Sequence, residues 1–489
     1  MDNKATVYES YYNDPKNQNK QMNIYAYGAP SNGLIWIQGI EYQGKDYRTV
    51  ENYQRYKDCG FNTAFPITSG NYASGEWKDS NAKCVMNICE QIGIDKVIIL
   101  DETLRLLSLQ SESLIGEGDI LTRDKKVVIR KKFKDEAELD EFIKERMSVY
   151  VNEPLFYGVQ LIDEPRAYML KAVGEVYRSI KRNYPKTFIQ CNLFPLFFRY
   201  NGTDIFFNYE YDDTCDYVGL YRKYVEAFLD ETGADYILTD RYPYHDGVAN
   251  DVFNYYFLSF QVLNDIARER NVKLHFVVQS FGGFEGGKRV YRFPNPQEMA
   301  LQIHTCLAFG VQEFAYFTYW AGSFYEINGE YRLKDEAIVS RTGEPTKLYP
   351  VVQRLNGMIQ KLAPVIMNFK HVADTYSAVF PMQSKPCHLQ FTRRGKLINA
   401  EKFRVSHELG LVSEMYDEEK EKYLYVVQNI TSSLHCPNIG KQKLSLTFKG
   451  EVTKVDVFDG NTWHTEDLPE DKIFTAELES GDAVYVLPY

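Results

Sequence analysis

The chain has 489 residues, 44% hydrophobic and 25% charged, the mix of a soluble globular protein long enough for two domains or three small ones. A net charge of −11 leaves no basic face to neutralise phosphates, which argues against a nucleic-acid partner. No apolar run reaches transmembrane length, which argues against a membrane partner.

The N-terminus, from Met1, has neither a basic start nor an apolar core. The expectation is a cytoplasmic protein, or a secreted one whose leader has been removed. Residues 1–30 are polar and tyrosine-rich without clear periodicity, and are expected to form an N-terminal extension. A regular alternation follows. Strands are expected over 34–39, 61–67, 96–101, 156–162, 187–194, 235–240, 273–281 and 313–320. Helices are expected over 50–59 (stopped by Gly60), 83–92 (ended by Gly93), 135–150, 168–182, 221–231, 255–270, 297–309 and 349–362. Strict alternation implies a parallel sheet, and eight units of this length fit a (β/α)8 barrel over 31–367. A doubly wound open sheet competes, but no glycine-rich phosphate fingerprint follows the first strand.

After about Asn368 helical periodicity gives way to short alternating runs over 377–380, 388–392, 423–428, 443–448, 454–458 and 483–487. Turn signals such as Asp459-Gly460-Asn461 and Gly481-Asp482 separate some of them. Residues 368–489 are therefore expected to form a small antiparallel β-sandwich. The eight cysteines make no Cys-x-x-Cys pair and sit mostly in apolar contexts, as buried free thiols of a reducing compartment would. The chain carries 38 Tyr and 30 Phe against 4 Trp, which suits surfaces that stack on sugars or bases, or reflects an AT-rich genome.

Barrel chemistry sits at the C-terminal strand ends. These offer Gln38 and Glu41, Pro66 and Thr68, Asp101 and Glu102, then Asp163, Glu164 and Arg166, then Asn192. Asp240, Arg241, Tyr242 and Tyr244 follow, then Gln279 and Ser280, then Tyr319 and Trp320. The set is rich in carboxylates, amides and aromatics. It lacks a histidine cluster with metal spacing, a Cys or Ser nucleophile motif and a strand-end lysine for a Schiff base. His245 is a lone loop histidine. Asp163-Glu164-Pro165 closes a buried apolar strand, and Pro165 is expected to hold Glu164 extended at its end. Buried carboxylates there need a job or a partner. Glycoside cleavage supplies the job: one carboxylic acid protonates the leaving oxygen, and a second carboxylate attacks or activates water. The bland alternatives are ion pairs to Arg166 or Arg241, and simple packing for the aromatics.

The motifs Asp163-Glu164-Pro165 and Tyr319-Trp320 give the barrel a resemblance to clan A glycoside hydrolases, whose fourth strand ends in Asn-Glu-Pro and whose eighth ends in an aromatic pair containing Trp. Asp240-Arg241-Tyr242-Pro243 and Gln279-Ser280-Phe281-Gly282 resemble motifs of uncharacterised bacterial proteins of similar type. The resemblance implies Glu164 as the proton donor, no metal or organic cofactor, and a carbohydrate substrate. Two departures stand out. The expected Asn is Asp163, and the strand-seven nucleophile position holds Gln279. Three repairs are open: Glu285 in the glycine-rich loop, Asp240 on strand six, or substrate assistance with Asp163 orienting an acetamido group. The expected function is a glycoside hydrolase with Glu164, Asp240 and Asp163 as catalytic residues. Asn192, Tyr242, Gln279, Tyr319 and Trp320 are the expected sugar contacts. The rival is a sugar-binding pseudoenzyme, with Gln279 as the trace of lost catalysis. Oligomeric state is not legible.

Overall fold

The computed structural model describes residues 6–30, 34–37, 40–43, 46–66, 71–72, 76–122, 125–196, 216–245, 256–285, 288–321, 324–327, 330–333, 336–340, 342–377, 395–407, 409–431 and 440–489. Eight strands run parallel. They are β1 (Asn23–Ala26), β2 (Thr63–Ala64), β3 (Lys96–Asp101), β4 (Phe156–Asp163), β5 (Phe188–Leu193), β6 (Tyr236–Asp240), β7 (Lys273–Gln279) and β8 (Val311–Phe317). Each from β2 to β7 pairs with its successor, and β8 pairs with β1. Asn62 closes the remaining seam: its backbone N–H donates to Ile24 O at 3.1 Å, and its side-chain oxygen accepts from Ile24 N–H at 2.8 Å. The sheet is a closed (β/α)8 barrel.

Among the described residues ten α-helices are present. After α1 (Val7–Tyr12), the barrel helices are α2 (Val50–Asp58), α3 (Asn81–Ile92), α4 (Glu102–Ser108), α5 (Glu136–Met147), α6 (Leu170–Asn183), α7 (Tyr217–Thr232), α8 (Phe257–Arg270), α9 (Pro296–Ala308) and α10 (Tyr349–Ile366). Their ends follow local chemistry. Ser80 caps α3 by accepting from Lys83 N–H, and Gly93 ends it in the left-handed region. Asn295 and Glu298 form a capping box on α9, with Pro296 at the first helical position. On α6, Val173, Val176, Tyr177 and Ile180 recur at helical spacing and are buried against the sheet. Inside the barrel, Tyr25, Phe65, Phe188, Tyr236 and Val277 form a separate buried cluster, so the interior is a packed core with its chemistry at the rim.

The first strand corrects the sequence reading. The apolar run 34–37 forms an antiparallel hairpin with 40–43, and the barrel strand is Asn23–Ala26, within the expected extension. Four residues among polar neighbours give little period to read, whereas a strongly apolar run mimics a buried strand.

The C-terminal region folds as expected into two antiparallel sheets. Its strands are β9 (Lys370–Ser377), β10 (Ala400–Val405), β11 (Gly410–Asp417), β12 (Lys422–Asn429), β13 (Gln442–Phe448), β14 (Lys454–Phe458), β15 (Trp463–Asp467), β16 (Ile473–Leu478) and β17 (Ala483–Pro488). Their orders are β9-β11-β12-β17-β14-β15 and β10-β13-β16. Val412, Val427, Val457 and Val486 from the first meet Leu444, Leu446 and Phe474 from the second in one apolar core, which makes a β-sandwich. The opposite face of the larger sheet, through Leu411, Met415, Leu424 and Tyr485, joins the barrel's own core. The strand expected over 388–392, and all but Ser377 of the one expected over 377–380, lie outside the described residues. The described cysteines, Cys59, Cys84, Cys89, Cys191 and Cys306, are free thiols.

Candidate active site

The strand ends bring Asp163, Glu164 and Asp240 together. β4 delivers Asp163 as its last residue and Glu164 one step beyond, and β6 delivers Asp240. Glu164 is not extended. Its φ is +48°, in the left-handed region that non-glycine residues rarely adopt. Two hydrogen bonds fix the turn: Glu164 N–H donates to Asn192 O at 2.7 Å, and Tyr224 OH, from α7, donates to Pro165 O at 2.6 Å. Proline's preference for an extended predecessor is a local bias, and here the cross-strand bond and the helix clamp override it.

The three carboxyls differ in their surroundings. Burial pushes Glu164 far above the ordinary carboxylate range, and the Asp240 and Asp163 charges push it further; nothing acts the other way. Burial also raises Asp240, to about 7, and the Asp163 charge adds to the rise, but the Tyr242 hydroxyl, hydrogen-bonded to it, and the Arg241 guanidinium pull it back. Asp163 is the most open of the three to water. Protein atoms crowd it within the barrel mouth all the same, and that crowding raises its carboxyl against the opposing Asn192 hydrogen bond and Arg105 charge. Asn192 Nδ2 donates to Asp163 Oδ1 at 3.0 Å. Asn192 Oδ1 and Asp240 Oδ1 are buried with no partner among the described residues, so each can accept a hydrogen bond from a ligand.

Aromatic rings line the site. Tyr242 lies 5.2 Å from Phe281 and 5.7 Å from Phe317, and Phe317 lies 5.6 Å from Tyr27. Tyr27 is hydrogen-bonded to Gln190. Sequence reasoning missed Tyr27 because the first strand was placed wrongly. It missed Tyr224 because a helical tyrosine gives no sign of a backbone partner 59 residues away. Trp320 is half-buried against Tyr47, 4.7 Å between ring centres, and the Phe317–Thr318 peptide bond is cis.

Several expected roles are corrected. Gln279 is fully buried. Its Oε1 accepts from Tyr244 N–H at 2.9 Å, and its Nε2 faces the carbonyls of Tyr244, Phe281 and Arg292 at 3.0–3.2 Å. The amide ties loops together and has nothing left for a sugar. Tyr319 is 1% exposed and packs edge-on against Tyr56 and Phe61, so it is core and not platform. Tyr244 is buried, its hydroxyl donating to Glu298 O. Asp101, a strand-end residue with no expected role, caps α4 and receives Arg146 and Tyr150, and Glu102 opens α4 as a helix-start carboxylate would and pairs with Arg105. Gln38, Thr68 and the side chains of Glu41 and Glu285 lie outside the described residues. Among the described residues no group of three or more His, Cys, Asp or Glu is placed to hold a metal ion, and no helix is long and apolar enough to cross a membrane.

No protein-family model matches the chain, and no curated protein matches it in sequence. Solved structures similar to it in chain course include a GH30 endoxylanase from Clostridium papyrosolvens C71, at 10% identity over 96% of this chain and 98% of that one, TM-score 0.40. A β-D-glucuronidase from Dictyoglomus thermophilum has 14% identity over 69% of this chain, TM-score 0.40, and the chain spans 50% of that enzyme. A glycoside hydrolase family 5 mannosidase from Rhizomucor miehei has 12% identity over 70% of this chain and 94% of that one, TM-score 0.41. None of them supplies a residue role.

Proposed function

We propose that the chain is a glycoside hydrolase in which Glu164 is the general acid and Asp240 the second carboxylate. The observation that carries this reading is the asymmetry of the pair. Glu164 feels only influences that keep its proton on. Asp240 has a hydroxyl donor and a guanidinium that support its charge. Two carboxyls pushed apart in this way divide into an acid and a base or nucleophile. Of the two, Glu164 holds its proton the more firmly, which makes it the donor of the pair. Glu164 would protonate the glycosidic oxygen as the bond breaks, and Asp240 would attack the anomeric carbon or take a proton from water. Asp163, fixed by Asn192, stands beside the acid and suits orientation of the sugar, an acetamido group included. The free acceptors on Asn192 and Asp240 suit sugar hydroxyls, and Tyr242, Phe317 and Trp320 offer ring faces.

The test is turnover on aryl α- and β-glycosides, N-acetylhexosaminides among them, with Glu164→Gln and Asp240→Asn as controls. Each substitution is expected to lower kcat at least 100-fold. A preference for N-acetylhexosaminides that survives Asp240→Asn would assign the second role to the substrate. Activity untouched by Glu164→Gln would remove it from its role. Sugar binding without turnover by the parent chain would establish the pseudoenzyme.

A further inference from the structure

The opposite end of the barrel holds a cavity of about 350 Å³ that the chemistry proposed at the mouth does not use. His275 of β7 and Glu313 of β8 line it, and they are 7% and 4% exposed. Glu313 Oε2 accepts from Asn23 Nδ2 at 2.9 Å. Its Oε1, and Nδ1 of His275, are buried with no partner. The two atoms are 3.6 Å apart, too far for a good bond to each other. A single oxygen can nevertheless stand at about 2.8 Å from both. A hydroxyl fits such a slot, because one oxygen accepts from the imidazole N–H and either donates to the ionised Glu313 carboxylate or accepts from its protonated form. Burial keeps His275 neutral, its pKa lowered to about 3, so one ring nitrogen always has an acceptor's lone pair and the other a proton.

The cavity wall adds two features. Tyr157 and Phe188 stack at 5.2 Å and present ring surface. Lys186 and Lys273 line the cavity, with Asp235 beside Lys273, while Lys181 is tied to Thr187 O at 2.9 Å. Lys186 is exposed and without an ion-pair partner among the described residues, and Lys273 reaches Asp235 only at 3.9 Å. Lysine ammonium groups attract a phosphate or carboxylate as point charges. The volume falls within the range of small-molecule sites.

We propose that this floor cavity binds a small hydroxylated anion, of the class of a phosphorylated or acidic monosaccharide. One hydroxyl is held between His275 and Glu313, and the anionic end lies at the lysine rim. The site is separate from the mouth and stands whether or not the mouth hydrolyses glycosides.

The test is calorimetric titration of the full chain at pH 7 and low salt with glucose 6-phosphate, glucuronate, glucose and inorganic phosphate. At least one of the two anionic sugars is expected to bind 10-fold or more tightly than both glucose and inorganic phosphate, and which one does so identifies the anion. Lys186→Glu, a surface change that leaves the fold alone, is expected to weaken that binding about fivefold. Glu313→Gln is expected to weaken it about 10-fold, while Glu164→Gln at the mouth leaves it unchanged. Equal binding of glucose, binding equalled by inorganic phosphate, no response to Lys186→Glu, or loss in Glu164→Gln would each overturn the proposal.

Discussion

Glu164 holds a backbone conformation that costs on the order of 1–3 kcal/mol and persists only where surrounding contacts over-determine it. The contacts are the Asn192 carbonyl on one side and the Tyr224 hydroxyl on the other. Tyr224→Phe leaves the buried Pro165 carbonyl short of a donor, with an expected stability loss of about 1–2 kcal/mol. The turn that aims the acid loosens, so kcat is expected to fall several-fold at nearly constant KM, a split that steady-state kinetics will read. The carboxylates and Asn192 were legible in the sequence because residue type and strand-end position mark them. Gln279 and Tyr319 carried the same marks and do other work. Position along a strand does not tell whether an amide faces a ligand or three backbone carbonyls.

At the scale of elements, strands two to eight and their helices could be read from periodicity, since a buried parallel strand is a continuous apolar run. The first strand could not, because it is four residues long and a stronger apolar run lies close behind it. Register was equally hidden. Gly158 sits in β4 where a Cβ would come within 2.2 Å of Phe188 O on β5. That approach lets β4 and β5 pair closely there, and a register shift between Gln190 and Cys191 then sets Asn192 opposite Asp163, where its side chain reaches Asp163 and its carbonyl the Glu164 amide. Gly158→Ala is therefore expected to cost about 1–3 kcal/mol by overpacking, seen as a lowered thermal midpoint, and to reduce activity by displacing the β4 end.

At the scale of the whole molecule, the sandwich is welded to the barrel. The central strands of its larger sheet, β11, β12 and β17, are buried along both faces. Gln428 Nε2 donates to Leu301 O at 3.0 Å, and His304 Nδ1 lies 2.8 Å from Tyr485 OH across the seam. The alternating runs announced a sandwich, but the doubly buried sheet became evident only once the barrel was seen to cover one side. Global stability should also report the floor of the barrel. Burial raises Glu313 to about 7 from a usual value of 4.5. Between those values the folded chain keeps a proton that the unfolded chain has released, so stability falls as pH rises from about 4.5 to 7 and stays reduced above. Glu313→Gln removes that slope. Its thermal midpoint relative to the parent is expected to climb between pH 5 and pH 8, by the equivalent of up to about 3 kcal/mol. A difference that stays flat would mean that Glu313 is ionised throughout.

The most direct test of Glu164 as general acid is the rate of Glu164→Gln on aryl glycosides of graded leaving-group acidity. A leaving group that departs easily needs no proton, whereas a poor one does. The variant is expected to lose 100-fold or more on phenols of high pKa and much less on dinitrophenol, so the slope of log rate against leaving-group pKa steepens. An equal loss on every substrate, or no loss on the poorest leaving group, would contradict the assignment.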